Sequence, residues 1–413
     1  MKTPGYEWTA EDVFEKFQAA LCEFGEAVSA NQYDQLSSDK PGYPSRSTIQ
    51  RFLGPWSIAK SKALDASNDE NRRQLLAAQN KTLFARLDAE RDRNQVFIDN
   101  CLASISKCSF KSVKRPAKTK SKVNLEFHAI RSDAHVGDYV DAAWVQGVSR
   151  YSADLYVERV GLWTDKVVTF REEDQGSLGL NKLVIDHLGD QCTGEGIYNG
   201  QPFYLDLSLT DQLFKSVEVE ANAILTLAEV FPEVEIFCVI GNHGRPGRKG
   251  DNHHRTNFDY IFYRCLQTAL APQKNVSVYV SESPTMLVRH GGFNFALTHG
   301  DAAQSWAGIP YYGREREFQR LPGLYNMVID YELVGHHHTP GSIGGYILMN
   351  GSLKGADDLS VNKMRRQSRP SQEIFYFHPE HGINRRTTIN LADPIHLEAD
   401  ENGIYTAYEV GNG

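Results

Sequence analysis

Residues 183–190 read LVIDHLGD: an apolar, β-branched run that breaks at Gly189 and ends on a carboxylate. Four other stretches repeat this grammar, 125-LEFHAIRS-132, 234-VEIFCVIG-241, 294-NFALT-298 and 331-YELVG-335. Short runs rich in β-branched and aromatic residues, closed by Gly or a polar residue, predict buried strands. Each is followed by residues able to bind metal: Asp133-Ala134-His135, Gly189-Asp190, Gly241-Asn242-His243, His299-Gly300 and Gly335-His336-His337-His338. Residues just past the carboxyl ends of strands in open α/β sheets line the ligand crevice. The five runs therefore predict one sheet edge carrying Asp133, His135, Asp190, Asn242, His299, His336 and His338. Two carboxylates, one amide and several imidazoles are the inventory of a two-metal hydrolytic site.

The series resembles the calcineurin-like metallophosphoesterase superfamily, whose pattern runs D-x-H, G-D, G-N-H, H-G, G-H-x-H, over Asn124 to Gln372. The resemblance implies an α/β fold, a metallophosphoesterase β-sandwich flanked by helices. It implies one metal held by Asp133, His135, Asp190 and His338, and a second by Asp190, Asn242, His299 and His336. Asp190 would bridge them, a metal-bridging hydroxide would attack phosphorus, and His243 would face the substrate as the catalytic residue. Two divalent cations roughly 3.5–4 Å apart suit that chemistry. Mixed His, Asp and Asn ligation favours borderline metals; manganese is the expectation from the nuclease branch, with iron, zinc, nickel or magnesium compatible. His337 is read as supporting its neighbours at most, and His128, His187, His378 and His381 as ordinary. One departure stands out. Many members follow the third-motif His with a carboxylate that orients it, and here Gly244 occupies that place. Asp251, Asp259 and Asp301 are the open substitutes.

Basic residues surround these motifs. Arg245 and Arg248 follow His243 in a glycine-punctuated loop, and guanidinium groups match phosphate bidentately. Lys363, Arg365, Arg366 and Arg369 form a second run. The segment 107-KCSFKSVKRPAKTKSK-122 holds seven basic residues and no acidic one. Its composition predicts a flexible linker. Residues 1–123 carry 20 Lys+Arg against 15 Asp+Glu, net +5, and the rest 24 against 37, net −13, giving the overall −8.

Ahead of the linker the chain reads as helical. Thr9, three residues before Asp12, marks an N-cap, and Val13, Phe14, Phe17, Ala20, Leu21 and Phe24 recur at helical spacing. The stretch 42-GYPSRSTIQRFLGPWSIAKSKAL-64 resembles the homing-endonuclease-associated repeat through Pro44-Ser45, Ile49, Phe52 and Trp56, though Leu53 and Pro55 interrupt the pattern. That resemblance implies a DNA-contacting helix face of Ser45, Arg46, Ser47, Gln50 and Arg51. Residues 68–106 lack Gly and Pro and predict one or two long amphipathic helices, a route to a homo-oligomer or a cover for the sheet.

The expected organisation is a DNA-binding-like helical domain over 1–66, an amphipathic helical segment over 67–106, a basic linker over 107–123, a catalytic domain over 124–380 and an extension of unassigned role over 381–413. With 41% hydrophobic residues the chain can bury a large core and a smaller one. No run suggests a membrane span or signal peptide, and six cysteines without paired spacing suit a reducing cytoplasm. The repeat resemblance suggests a bacteriophage or mobile-element setting, with a phage-encoded protein acting in the bacterial host cytoplasm. The expected function is a metal-dependent phosphodiesterase cleaving DNA. A phosphatase or cyclic nucleotide phosphodiesterase using the same site is one alternative, and a non-catalytic DNA-binding protein the other.

Overall fold

A computed structural model of the chain describes residues 8–25, 27–38, 40, 42–65, 69–247, 253–303, 310–366, 368–392, 395–399 and 401–409. The chain divides into two compact units, Met1–Phe97 and Ile98–Gly413.

The first unit is helical: α1 Ala10–Phe24, α2 Ala30–Ser38, α3 Arg46–Leu53, α4 Trp56–Asp65 and the start of α5 Asp69–Lys107. Thr9 and Asp12 close a capping box on α1, each satisfying a backbone donor of the first turn. Val13, Phe17, Ala20 and Leu21 are buried along one face. The rings of Phe17, Tyr33 and Trp56 lie 5.1–5.6 Å apart by centroid, the spacing of favourable aromatic pairs. Ile49 is buried and Phe52 and Trp56 pack on the same cluster. The apolar signature of 42–64 is therefore the core of this unit. The helical pattern of 68–106 is one uninterrupted helix, α5, along which Leu83, Phe84, Leu87 and Val96 are at least half exposed.

The second unit is mixed α/β with two principal sheets. The first sheet takes β1 Glu126–Arg131, β2 Lys182–His187, β3 Glu233–Cys238 and β4 Val276–Val280 in parallel register. The intervening helices are α6 Ala153–Leu178, α7 Leu209–Val230 and α8 Phe258–Leu270. The second takes β5 Thr285–His290, β6 Phe293–Thr298, β7 Tyr331–Val334, β8 Gly341–Ile343 and β9 Ile347–Met349, in the order β5-β6-β7-β9-β8. Strands β6, β7 and β9 run parallel. Short helices α9 Tyr311–Phe318 and α10 Leu321–Tyr325 join β6 to β7. One apolar cluster draws Ile130, Val184, Phe237 and Phe375 from the first sheet and Phe295, Leu297, Leu333 and Leu348 from the second, so the sheets face each other across it. Burying such a side chain stabilises by about 1.5–3 kcal/mol. On the other face of the first sheet, Arg131 pairs with Glu220 of α7 and stands 4.5 Å from the Trp163 ring of α6.

The expected boundaries shift in two places. The first sheet continues through β10 Ser371–His378 and β11 Gly382–Asn390, so its edge strand lies beyond residue 380. A hairpin of β12 Ile395–Ala399 and β13 Tyr405–Glu409 follows. Of residues 107–123, expected as a flexible tether, Lys107 ends α5 and the rest are without regular structure yet tied down. The Gln273 side chain accepts from Ser112 and from the Val113 amide and donates to the Val113 carbonyl. Asn181 serves Thr119 in the same two-way manner, and Arg115 donates to the Pro232 carbonyl. Amide side chains thus satisfy backbone groups that have no ladder partner. All six cysteines are free. Among the described residues no helix is long and apolar enough to cross a membrane.

Candidate metal centre

Parallel pairing brings the carboxyl ends of β1, β2 and β3 to one edge, and those of β6 and β7 to the matching edge of the other sheet. Asp133, Asp190, Asn242, His299 and His336 follow those ends directly. The backbone there turns hard. Asp133, His135, Asp190, His336 and His338 all have positive φ, between 48° and 65°. Such residues cost about 1–3 kcal/mol each unless the surroundings hold them, and they gather at functional sites. Here the surroundings are specific. The Asp133 amide donates to the Gly189 carbonyl (3.0 Å) and the His135 amide to the Asp190 carbonyl (2.9 Å). The His336 amide donates to the Asp133 carboxylate at 3.0 Å.

The side chains converge as two groups that could hold divalent cations. In one, His135 Nε2 lies 3.1 Å from His338 Nε2, and His338 Nε2 lies 3.3 Å from Asp133 Oδ1. In the other, His299 Nε2 lies 3.0 Å from Asp190 Oδ2, 3.0 Å from Asn242 Oδ1 and 3.2 Å from His336 Nδ1. Asp190 also meets His135 at 3.9 Å and groups with His135 and His243. Metal–ligand bonds of about 2.0–2.2 Å place neighbouring ligand atoms roughly 3.0–3.4 Å apart. The 3.0–3.3 Å separations and the donor types are those of groups that could hold divalent cations, and Asp190 belongs to two of the groups.

A second layer of contacts fixes the first. The Leu188 carbonyl accepts from His299 Nδ1 at 2.7 Å, turning Nε2 toward Asp190, the arrangement typical of ligating histidines. Asp259, in the first turn of α8, accepts from the amides of Asp190, Gln191, Cys192 and Gly241. It staples the β2 and β3 loops together. Those loops touch backbone to backbone: a Cβ on Gly189 would stand 2.3 Å from the Gly241 nitrogen, and one on Gly241 2.1 Å from Asp190 Oδ1.

The orienting partner of His243 is a main-chain carbonyl. His243 Nδ1 lies 3.2 Å from the Thr193 oxygen. A carbonyl only accepts, so Nδ1 carries the proton and Nε2 remains for substrate. Asp259 is committed to the backbone staple, and Asp251 lies outside the described residues. No side chain is accommodated after His243, because a Cβ on Gly244 would stand 2.3 Å from Asn257 Oδ1.

Charge in this pocket runs toward cations. Burial opposes ionisation of Asp133 and Asp190, yet the neighbouring His338 and His299 respectively hold them below the usual carboxylate range. Burial also disfavours the His299 imidazolium, but the charge of Asp190 pushes it up to about 10. A divalent cation would serve the same two carboxylates. His135, His243 and His336 are lowered, first by burial; neutral imidazoles are the ligating form.

The other expected site residues differ in placement. Arg245 reaches the centre but donates to the Asn242 carbonyl, holding the ligand loop; Arg248 lies outside the described residues. In the helical unit, Ser45 caps α3 and Arg46 lies against Asn31 and Asp34. Gln50 and Arg51 face outward.

Sequence reasoning missed a second histidine–carboxylate set between the sheets. His128 Nδ1 lies 3.4 Å from Asp186 and its Nε2 3.4 Å from Glu126, while His290 Nδ1 is 3.6 Å from Glu126. Lys182 reaches Glu126 at 3.4 Å. Glu126, His128 and His290 are close enough to hold an ion, but Lys182 already supplies a cation there. The residues come from β1, β2 and β5, in both sheets, with no shared motif, so only the packing of strands and sheets reveals them.

No protein-family model matches the chain, and no curated protein does. Among solved structures the chain is similar to a phosphopantetheinyl hydrolase from Mycobacterium tuberculosis, at 13% identity and a TM-score of 0.24, over 60% of this chain and 96% of that one. So slight a likeness has no bearing on the fold or chemistry.

Proposed function

We propose that this chain is a two-metal phosphodiesterase acting on nucleic acid, with DNA as the substrate class and a calcineurin-like metallophosphoesterase arrangement. The observation that carries the reading is Asp190, which belongs to both the His135 and the His299–His336 groups at the meeting edge of two facing sheets. One carboxylate serving two ligand groups is the signature of a paired-cation centre rather than of a single structural ion.

Asp133, His135, Asp190 and His338 would hold one cation, and Asp190, Asn242, His299 and His336 the other. When bound, the pair supplies Lewis acidity and activates water for attack on a phosphoryl group. The protein's own contribution is placement. The His243 amide donates to Asp190 Oδ1 at 2.7 Å, and Ser132 and His336 donate to Asp133, so neither carboxylate can swing. His243 presents Nε2 to the substrate. Burial, opposed by the Asp190 charge and helped by that of Lys354, weakens its hold on a second proton, so Nε2 stands as an acceptor toward the attacking water or substrate. The outward Gln50 and Arg51 and the exposed basic loop near residue 365 favour a polyanionic substrate.

The test is hydrolysis of end-labelled linear DNA and covalently closed circular DNA with Mn²⁺, wild type beside Asp190→Ala and His243→Ala. Cleavage lost in both variants supports the proposal, and attack on the circle makes the enzyme an endonuclease. Hydrolysis of a generic phosphate ester with DNA untouched transfers the site to a phosphatase. A chain that binds no metal and cleaves neither substrate overturns both readings in favour of a non-catalytic DNA-binding protein.

A further inference from the structure

The loops that continue the first two ligand motifs build an aromatic cluster beside the centre. Tyr139 lies four residues past His135, at most about 14 Å away along the chain. Its ring stands 5.7 Å from Trp144, which stands 5.4 Å from Tyr204 in the loop after β2. The two loops are joined by the Tyr139 amide, which donates to the Tyr204 carbonyl at 2.8 Å. All three rings are more than a third exposed, at 37%, 40% and 37%. Large aromatic surface held open to water calls for an explanation.

The basic loop after β9 connects this cluster to the metal ligands. Asn362 donates to the Trp144 carbonyl at 3.0 Å. Arg366 donates to the hydroxyl of Thr339, the residue after His338, at 3.3 Å. Between them Lys363 and Arg365 are exposed. Of the nearby acidic groups, Asp138 and Asp357 turn onto the buried Lys354, Asp141 accepts from the Ala143 amide and Asp358 accepts from Asn362. The surface formed by these loops therefore carries Lys363 and Arg365 on a segment tied at one end to the residue after His338 and at the other to Trp144.

Resting on the phosphodiesterase reading, we infer that this surface binds unpaired nucleotides of a single strand, stacking bases on Trp144 and its neighbours and holding phosphates with Lys363 and Arg365. Aromatic rings beside a basic track are the means by which single strands are bound without regard to sequence. A duplex keeps its base faces stacked inside and offers nothing to the rings. The centre would thus act on single-stranded or frayed nucleic acid.

Binding can be read without cleavage, using the full chain, EDTA and fluorescence anisotropy. The probes are a short oligothymidylate, its abasic counterpart of equal length, and a blunt duplex. Wild type is expected to prefer oligothymidylate over the abasic strand by about tenfold or more, since one stacked base is worth that much. Trp144→Ala with Tyr204→Ala should abolish the preference, while Trp144→Phe retains it. Lys363→Ala with Arg365→Ala should weaken both single strands alike and flatten their salt dependence. Equal affinity for the two strands, preference surviving in the aromatic variant, or tighter binding of the duplex overturns the inference. So does concentration-dependent self-association that the aromatic variant abolishes and oligothymidylate leaves untouched, which would make the cluster an interface between copies. Base-dependent binding without cleavage in Mn²⁺ would leave this inference standing and remove the catalytic one.

Discussion

Strands β1 and β2 each contribute to two histidine–carboxylate clusters, one within the strands and one just past their ends. Inside, His128 is stacked 4.5 Å from Phe375 and flanked by Asp186 and Glu126. Past the ends, His135, Asp133 and Asp190 are built of the same residue types. The difference is in the backbone. The inner residues keep extended geometry, so their side chains stand in pleat order and meet a partner of opposite charge. Five of the outer residues have positive φ, which turns ligand atoms toward a common point rather than toward one partner. Composition alone marks both clusters as metal-binding; only backbone direction separates an ion-pair network from a cation cradle.

The contrast can be broken experimentally. The largest expected effect is at the outer cluster: His243→Ala should lower turnover by about 10²–10⁴-fold while metal content, measured by plasma mass spectrometry, stays intact. Asp190→Ala should lose both activity and metal. At the inner cluster, His128→Ala should leave metal content unchanged but cost about 3–5 kcal/mol in urea unfolding, because the buried Asp186 carboxylate loses its partner. Metal loss in that variant would erase the distinction. Asp259→Ala tests the staple between the ligand loops: metal affinity should fall about 10–100-fold, read by titration with a fluorescent competitor, and an unchanged affinity would reduce Asp259 to a local cap.

The smallest effect is a slope with pH. Burial disfavours the charged form of His128, but Asp186 and Glu126 together raise it above the ordinary histidine value. The folded state then binds a proton that the unfolded chain has released. This contribution is fully present below about pH 6.5, the unfolded value, and is lost as pH rises through the raised folded value. Urea midpoints should show a decline across that range that is shallower in His128→Leu.

The convergence of the candidate ligands was legible because each apolar run stops at a Gly or polar residue, and the residues that follow are the types that tolerate the left-handed region. Asp259 was legible only as one of three substitutes for the carboxylate that would orient His243; four amides from two distant loops are needed to see it as a staple. The partner of His243 was illegible in principle, since a main-chain carbonyl leaves no trace in residue type. The 107–123 segment misled for a related reason. Its Lys, Ser and Pro content describes its own side chains, whereas its order comes from Gln273 and Asn181 far along the chain. Asp186 reaches His128 from the neighbouring β2 and His290 reaches Glu126 from β5 of the facing sheet, placements that no local pattern encodes.

The touching backbones at Gly189 and Gly241 have a consequence for anyone reshaping this molecule. In a saturation library, both positions should behave as fixed points, intolerant even of alanine, because there is no direction in which a methyl group could go. New specificity must then be installed from outside, in the outward-facing loops after β1 and β2, leaving the chemical machinery as an invariant kernel beneath an interchangeable rim.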